Sequence, residues 1–360
     1  MNALQDEIAA LIDADGPMPV ATFMGLALGH RTHGYYRKQD PLGAAGDFIT
    51  APEISQMFGE LVGLCLADFW QRSGSARSVH LVELGPGRGT LMADILRATR
   101  VLPTFRQALG IHLVETSPFL RARQREALGD TGASISWHDT LGSVPRGEPL
   151  FLIANEFFDA LPVAQYQYFR GNWHLRTITH DSKGGLGFAL SGAVPIDAAS
   201  LPRATPTDGD ILEACPAATA IMADIADRLA QDGGIALVID YGHEGPAFGD
   251  TLQAMHKHKF VPVLETPGDA DLTTHVDFGA LSREAHARGC RTNGPAPQGE
   301  FLDALGLGLR AESLARANPA RADDLRAAAS RLAGADAMGH LFKVMAVLPP
   351  DAPLPAGFAP

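Results

Sequence analysis

The residues best equipped for chemistry fall where short apolar runs break off. His80-Leu81-Val82-Glu83-Leu84 runs into Gly85-Pro86-Gly87-Arg88-Gly89, an acid followed by alternating glycines. Glycines in that pattern let the backbone take positive φ and approach a ligand with no Cβ in the way. An apolar run from Leu150 to Ala154 ends in Asn155-Glu156-Phe157-Phe158-Asp159, one from Ile111 to Val114 ends in Glu115, and one from Ile235 to Ile239 ends in Asp240-Tyr241-Gly242-His243. Glu156 and Asp159 are placed to grip a guanidinium through bidentate, charge-assisted hydrogen bonds. Such a grip fixes one nitrogen and stabilises the cation, which matters because arginine is protonated throughout the physiological range. A set of acids with no basic cluster among them suits cationic ligands.

Positioning these groups requires a particular order of elements. The glycine stretch sits between an apolar strand and a helical pattern (Leu91, Ile95, Leu96), the strand, turn and helix that open a nucleotide-type crevice. A dinucleotide fingerprint would carry Gly or Ala at the sixth position, where this chain has Thr90, and its third glycine comes one place early at Gly89. Glu115 follows Glu83 by about thirty residues, one strand–helix–strand unit, and an acid ending the second strand is placed for ribose hydroxyls. A third strand, Ser134 to Trp137, leads to His138-Asp139, and Asp before Thr is also an ordinary turn residue. The expected fold class is α/β, a Rossmann-like doubly wound sheet. Residues 165 to 190 alternate around a turn at Gly171-Asn172 and predict an antiparallel β insertion, and residues 192 to 210 read as a surface connection.

Before the sheet, helices are predicted over residues 3–14 and 20–28, followed by a glycine-bearing loop to Asp47. Thr50 and Glu53 form a capping box opening one long helix to Gln71. Tyr35, Tyr36 and Phe48 suit a substrate channel or simple packing equally. After it come a helix over 217–231, a stretch of turns from Thr251 to Asp277, helical patterns at 277–288, 299–306 and 321–333, and a last strand from His340 to Leu348. A loose Pro-rich tail closes the chain.

Composition bounds the possibilities. The 360 residues are 46% hydrophobic and 19% charged, enough for a sizeable core, and a net charge of −12 argues against a broad nucleic-acid footprint. Cys65, Cys215 and Cys290 are far apart and read as reduced thiols. The acidic N-terminus resembles neither a secretory signal nor a transit peptide, and no apolar run reaches membrane-spanning length; a soluble, cytoplasmic protein is expected. His256-Lys257-His258 has no acid or Cys set around it to complete a metal site, so no metal is expected, and no Gly-x-Ser-x-Gly elbow suggests a hydrolase.

Acid-x-Gly-x-Gly-x-Gly resembles motif I of the S-adenosylmethionine (SAM)-dependent methyltransferases, and SAM carries an ammonium and a sulfonium in place of phosphates. The likeness then extends over nearly the whole chain: Gly34-Tyr35-Tyr36, Gly46-Asp47-Phe48 through Gly59-Glu60, Val82 to Leu91, His112 to Glu115, Ala154 to Pro162, Ile239 to His243, Pro267-Gly268 with Ala270 to Thr273, Val276 to Phe278, Gln298-Gly299, and Met338-Gly339 with Leu341 to Met345. By these stretches the chain resembles the MidA-like family of SAM-dependent methyltransferases, whose mitochondrial members are complex I assembly factors.

The resemblance implies protein arginine Nη methylation, directed in those relatives at the 49-kDa-type subunit of NADH dehydrogenase. It implies SAM as cofactor, bound by Glu83, Gly85, Gly87, Gly89, Glu115 and Asp139, the last facing the adenine amine. Asn155, Glu156 and Asp159 would be catalytic. Gly46 to Glu53, with Asp47, Phe48 and Glu53, and Asn155 to Pro162 would bound the substrate site, and Tyr241 and His243 at their own strand end are expected on the substrate side as well. The corresponding division is a helical cap and lid over 1–75, a SAM-binding core over 76–163 and 217–348, the β insertion over 164–216, and a tail over 349–360. The insertion serves a protein partner or a homodimer interface equally well. A non-catalytic assembly chaperone with a relic SAM pocket is the competing reading, but it should have lost some of the Glu83/glycine and Asn155–Asp159 residues. A small-molecule methyltransferase ranks below it, and a NAD-dependent oxidoreductase last.

Overall fold

The computed structural model describes residues 2–38, 50–197 and 201–359; Asp47 and Phe48 lie outside the described residues. The chain divides into two compact units, Met1–Phe48 with Asp159–Ala220 and His243–Ala280, and Ile49–Phe158 with Ile221–Gly242 and Leu281–Pro360.

The second unit holds the large sheet. Among the described residues the sheet has eight strands, of which seven are β1 (Val79–Leu84), β2 (Leu109–Val114), β3 (Ile135–His138), β4 (Leu150–Asn155), β5 (Gly234–His243), β6 (Arg291–Pro297) and β7 (Phe342–Leu348). These seven run in the order β6-β7-β5-β4-β1-β2-β3. β5, β4, β1, β2 and β3 are parallel, while β7 is antiparallel to both β5 and β6. Every residue of β4 is buried, as a parallel strand covered on both faces requires. The strand order reverses between β1 and β4, so the glycine turn after β1 and Asn155 at the end of β4 open on the same edge. Crevices for ligands form at such reversals, outside the carboxyl ends of the strands. This is the expected α/β, Rossmann-like sheet.

Close packing fixes the helix that follows the glycine turn. Helix Gln56–Arg72 lies against helix Thr90–Ala98, and the approach is set by two glycines one turn apart. A Cβ on Gly59 would come within 2.6 Å of Asp94 Cβ, and one on Gly63 within 3.0 Å of Ile95 Cα. Phe58, Leu61, Val62, Cys65 and Phe69 complete the contact face and join Leu91, Met92 and Ile95 in the core. The single helix expected from Thr50 is instead two. Ala51–Ile54 is a short helix, Ser55 is extended, and the long helix starts at Gln56 with the Ser55 hydroxyl accepting from Met57 N. Thr50 makes no side-chain cap; the Glu53 N–H that a capping box would use donates to Thr50 O at 2.9 Å.

In the first unit, helices Ala3–Asp15 and Val20–Gly29 bury Leu4, Ile8, Phe23 and Met24 with Val163 and Ile178. The antiparallel insertion is present as Ala164–Phe169, Asn172–His180 and Leu186–Ala193, joined by Met18–Pro19 and Ile211–Ala214. The stretch read as turns between Thr251 and Asp277 contains a three-stranded sheet, Gln253–His256, Lys259–Val261 and Asp271–Thr273. Strands this short show too little alternation to detect. Other elements also escaped the periodicity, among them β6 and helix Leu307–Ala317. β6 carries Gly294, Pro295 and Pro297, and is tolerated as a strand because, among the described residues, it is an edge strand paired with β7 and bulges between Asn293 and Ala296. Helix Leu307–Ala317 is short and mostly exposed. The tail is anchored: Cys65 donates its thiol to Ala356 O at 3.3 Å, Arg291 donates to Pro350 O and Ala352 O, and Phe358 packs on Phe301.

The Gly59 contact yields a measurable reversal. In an exposed helix Gly→Ala would stabilise by about 1 kcal/mol. Gly59→Ala should instead destabilise by about 1–3 kcal/mol through overpacking against Asp94, read as a lower urea midpoint with an unchanged m value.

Candidate functional site

The turn after β1 needs its glycines. Gly85, Gly87 and Gly89 have φ of 61°, 53° and 85°, the left-handed region that L side chains rarely adopt. A Cβ on Gly85 would also meet the Phe157 ring at 3.0 Å. Gly85 N–H donates to Val114 O at 3.1 Å, tying the turn to β2, and Gly89 in αL conformation starts helix Thr90–Ala98. Gln124, fully buried, holds the turn from below: its Nε2 donates to Gly87 O at 2.8 Å and to Glu115 Oε2 at 3.4 Å, while its Oε1 accepts from Trp137 Nε1 at 2.9 Å. Sequence reading overlooked Gln124. Its signal was the spacing Leu120, Gln124, Leu128, which puts an amide on an otherwise apolar helix stripe.

Glu83 is 2% exposed, and its Oε2 has no hydrogen-bond partner among the described residues. Burial alone raises its carboxyl to a pKa of about 8. A lone buried carboxyl is costly and therefore calls for a cationic or hydrogen-bonding ligand. Glu115, at the end of β2, is buried and its pKa is raised by desolvation against the backbone N–H of Ser117, which donates to Oε1 at 2.7 Å. Asp139, after β3, is largely exposed and pairs with Arg121 at 2.7 Å. Arg121 also donates to Glu115 O at 2.7 Å, so one guanidinium links the ends of β2 and β3.

At the end of β4, Asn155 Nδ2 donates to Glu156 Oε1 at 3.1 Å, and Asn155 Oδ1 is buried without a partner among the described residues. Glu156 has φ of 51°, a strained value for a non-glycine residue and one that concentrates at functional sites. Its N–H donates to Ile239 O at 2.8 Å, and its Oε1 also accepts from Ala51 N at 3.0 Å. Asp240, fully buried, accepts from Phe158 N and Tyr241 N, each at 3.0 Å. Tyr241 is buried with its ring against Phe342, at 5.3 Å between centroids. Glu53 accepts a hydrogen bond from Thr90 Oγ1 at 2.5 Å and lies 3.5 Å from Arg88.

Asp159 and His243 belong to the first unit. Asp159 is buried and its carbonyl accepts from Thr274 N at 3.0 Å. Tyr36 donates its hydroxyl to Asp271 Oδ1 at 3.0 Å, and burial with the charges of Asp271 and Asp159 pushes that hydroxyl well above its usual pKa. His243 Nδ1 bonds to Gly245 O and stands 4.0 Å from Asp277. Among the described residues no group of His, Cys, Asp and Glu could hold a metal ion.

A glycine cradle that excludes Cβ atoms, a buried carboxyl with an unengaged oxygen, and an acid ending the next strand fit a cationic nucleoside cofactor. Fold and site together define a SAM-dependent methyltransferase. Comparison with known proteins agrees. Residues 61–296 match the family described as S-adenosyl-L-methionine-dependent methyltransferase. The chain is 38% identical to "Protein arginine methyltransferase NDUFAF7, mitochondrial" of Danio rerio, covering 96% of this chain and 87% of that one, and 38% identical to the Drosophila melanogaster homolog, covering 97% and 85%. It superimposes with a TM-score of 0.86 on a Burkholderia thailandensis crystal structure bound to S-adenosyl-homocysteine, at 26% identity and over 99% of this chain and 94% of that one. The chain belongs to this SAM-dependent methyltransferase family, the MidA-like one its motifs resemble, and its cofactor is SAM.

Glu83 gives the site a pH signature. Unfolded, it ionises near 4.5; folded, it keeps its proton up to about 8. Folding stability is therefore lost as pH rises from the first value through the second, and is constant beyond. Ligand-free Glu83→Gln should match wild type at pH near 4 and exceed it by up to a few kcal/mol at pH near 9. Unfolding curves at the two pH values check this.

Proposed function

We propose that the chain is a protein arginine N-methyltransferase acting on a subunit of respiratory NADH dehydrogenase during assembly. The observation carrying this reading is 38% identity, over nearly the whole chain, to relatives named protein arginine methyltransferase. The chemistry at the end of β4 supports it: Asn155 offers a buried acceptor oxygen, and Glu156 an acid on a strained backbone.

SAM supplies an electrophilic methyl on a sulfonium. The work left to the protein is to present a guanidinium nitrogen to that methyl and to stabilise the cation, and orientation of this kind accounts for several kcal/mol of barrier lowering. Carboxylates and amide oxygens do both, because guanidinium carries donors only. Asn155 and Glu156 are the residues we assign to this role; Asn155 Nδ2 and Ala51 N both donate to Glu156 Oε1 and hold that carboxylate at the end of β4. The proton released on methylation leaves from the product guanidinium.

Co-expression with the 49-kDa-type NADH dehydrogenase subunit, followed by mass spectrometry, tests the reading. Methylated arginine should appear with wild type. With Asn155→Ala it should fall at least tenfold, consistent with loss of a charge-assisted hydrogen bond, while S-adenosyl-homocysteine still binds. Cofactor binding with no methylarginine on that subunit would contradict the assignment.

A further inference from the structure

Glu53 reads from the sequence as half of a capping box, and from the resemblance as part of the substrate border. The structure gives it different neighbours. Its Oε1 accepts from the Thr90 hydroxyl at 2.5 Å, and its Oε2 lies 3.5 Å from the Arg88 guanidinium. Arg88 lies inside the glycine turn and Thr90 is the first residue of the helix after it. Thr90 also occupies the place where a dinucleotide-binding turn would carry its last glycine. The side chain that departs from that fingerprint is the one that meets Glu53.

The short helix Ala51–Ile54 is fastened at a second point. Ala51 N–H donates to Glu156 Oε1 at 3.0 Å, and Glu156 is in turn tied to β5 through Ile239 O. Ala51 and Pro52 are buried, and Ile54 packs on the core. One turn of helix thus reaches from the end of β1 to the end of β4, the two strands between which the order reverses.

We propose that Glu53 is a cofactor-side positioning residue: with Thr90 and Arg88 it pins the glycine turn in its SAM-binding shape, and Ala51–Ile54 is a clasp fastened to both strand ends. Three positive-φ glycines leave such a turn many conformations to lose. A carboxylate bonded to a hydroxyl and facing a guanidinium is among the stronger side-chain anchors. Holding a binding loop in its bound conformation appears as affinity, because less order is lost when the ligand arrives. This inference rests on SAM binding and is independent of which group is methylated.

The test is calorimetric titration of S-adenosyl-homocysteine into the full chain and four variants. Thr90→Val removes the hydroxyl and keeps the shape; Thr90→Ser keeps the hydroxyl; Glu53→Met removes the acceptor; the fourth combines Thr90→Val with Glu53→Met. Thr90→Val and Glu53→Met should each weaken binding about tenfold, Thr90→Ser should bind as wild type, and the double variant should be no weaker than either single one. Wild-type affinity in Thr90→Val, or singles whose effects multiply in the double variant, would overturn the proposal. If Thr90→Val does not fold, Glu53→Met decides alone: tenfold loss supports the clasp and wild-type affinity rejects it.

Discussion

The glycine turn between β1 and helix Thr90–Ala98 is the constraint that the sheet unit is arranged to meet. Three residues at positive φ cannot hold a shape by local preference, so the surroundings must impose it. Gln124 takes the Gly87 carbonyl from one side, the Phe157 ring closes against Gly85 from another, and Glu53 holds Thr90 and Arg88 from a third. The helix beginning at Thr90 is in turn pressed by Gly59 and Gly63 of helix Gln56–Arg72. Much of the packing around β1 therefore acts on one short backbone segment.

A second constraint is electrostatic. Glu83 is buried beside that turn with one oxygen unengaged, and burial raises its pKa to about 8. An apolar side chain would give a more stable ligand-free protein. Its retention makes sense for a cationic cofactor, whose charge recovers the cost of burying an acid. Stability and binding pull in opposite directions at this position, a common trade-off at functional sites.

The parallel core was legible from the sequence because its strands are short, mostly apolar runs followed by acids, glycines or polar clusters. Glu83, Glu115 and Asn155 lie at strand ends where that pattern predicts them. Partnerships made far along the chain were not legible. Nothing near Thr50 indicates that Glu53 will bond to Thr90 and not cap its own helix, and local spacing favoured the box. Gln124 was hidden by its polar type in a helix judged by apolar repeats. The strands at Gln253–His256, Lys259–Val261 and Asp271–Thr273 are too short for periodicity to register. β6 contains the residues that ordinarily break strands, and exists because β7 supplies the pairing.

Titration of the purified chain with S-adenosyl-homocysteine and with NAD, beside Gly87→Val, addresses the central claim most directly. A side chain at φ of 53° strains the turn whatever space surrounds it. Wild type should bind S-adenosyl-homocysteine and not NAD, and Gly87→Val, still folded by circular dichroism, should bind neither. Undiminished binding in Gly87→Val, or no binding of S-adenosyl-homocysteine by wild type, would contradict it.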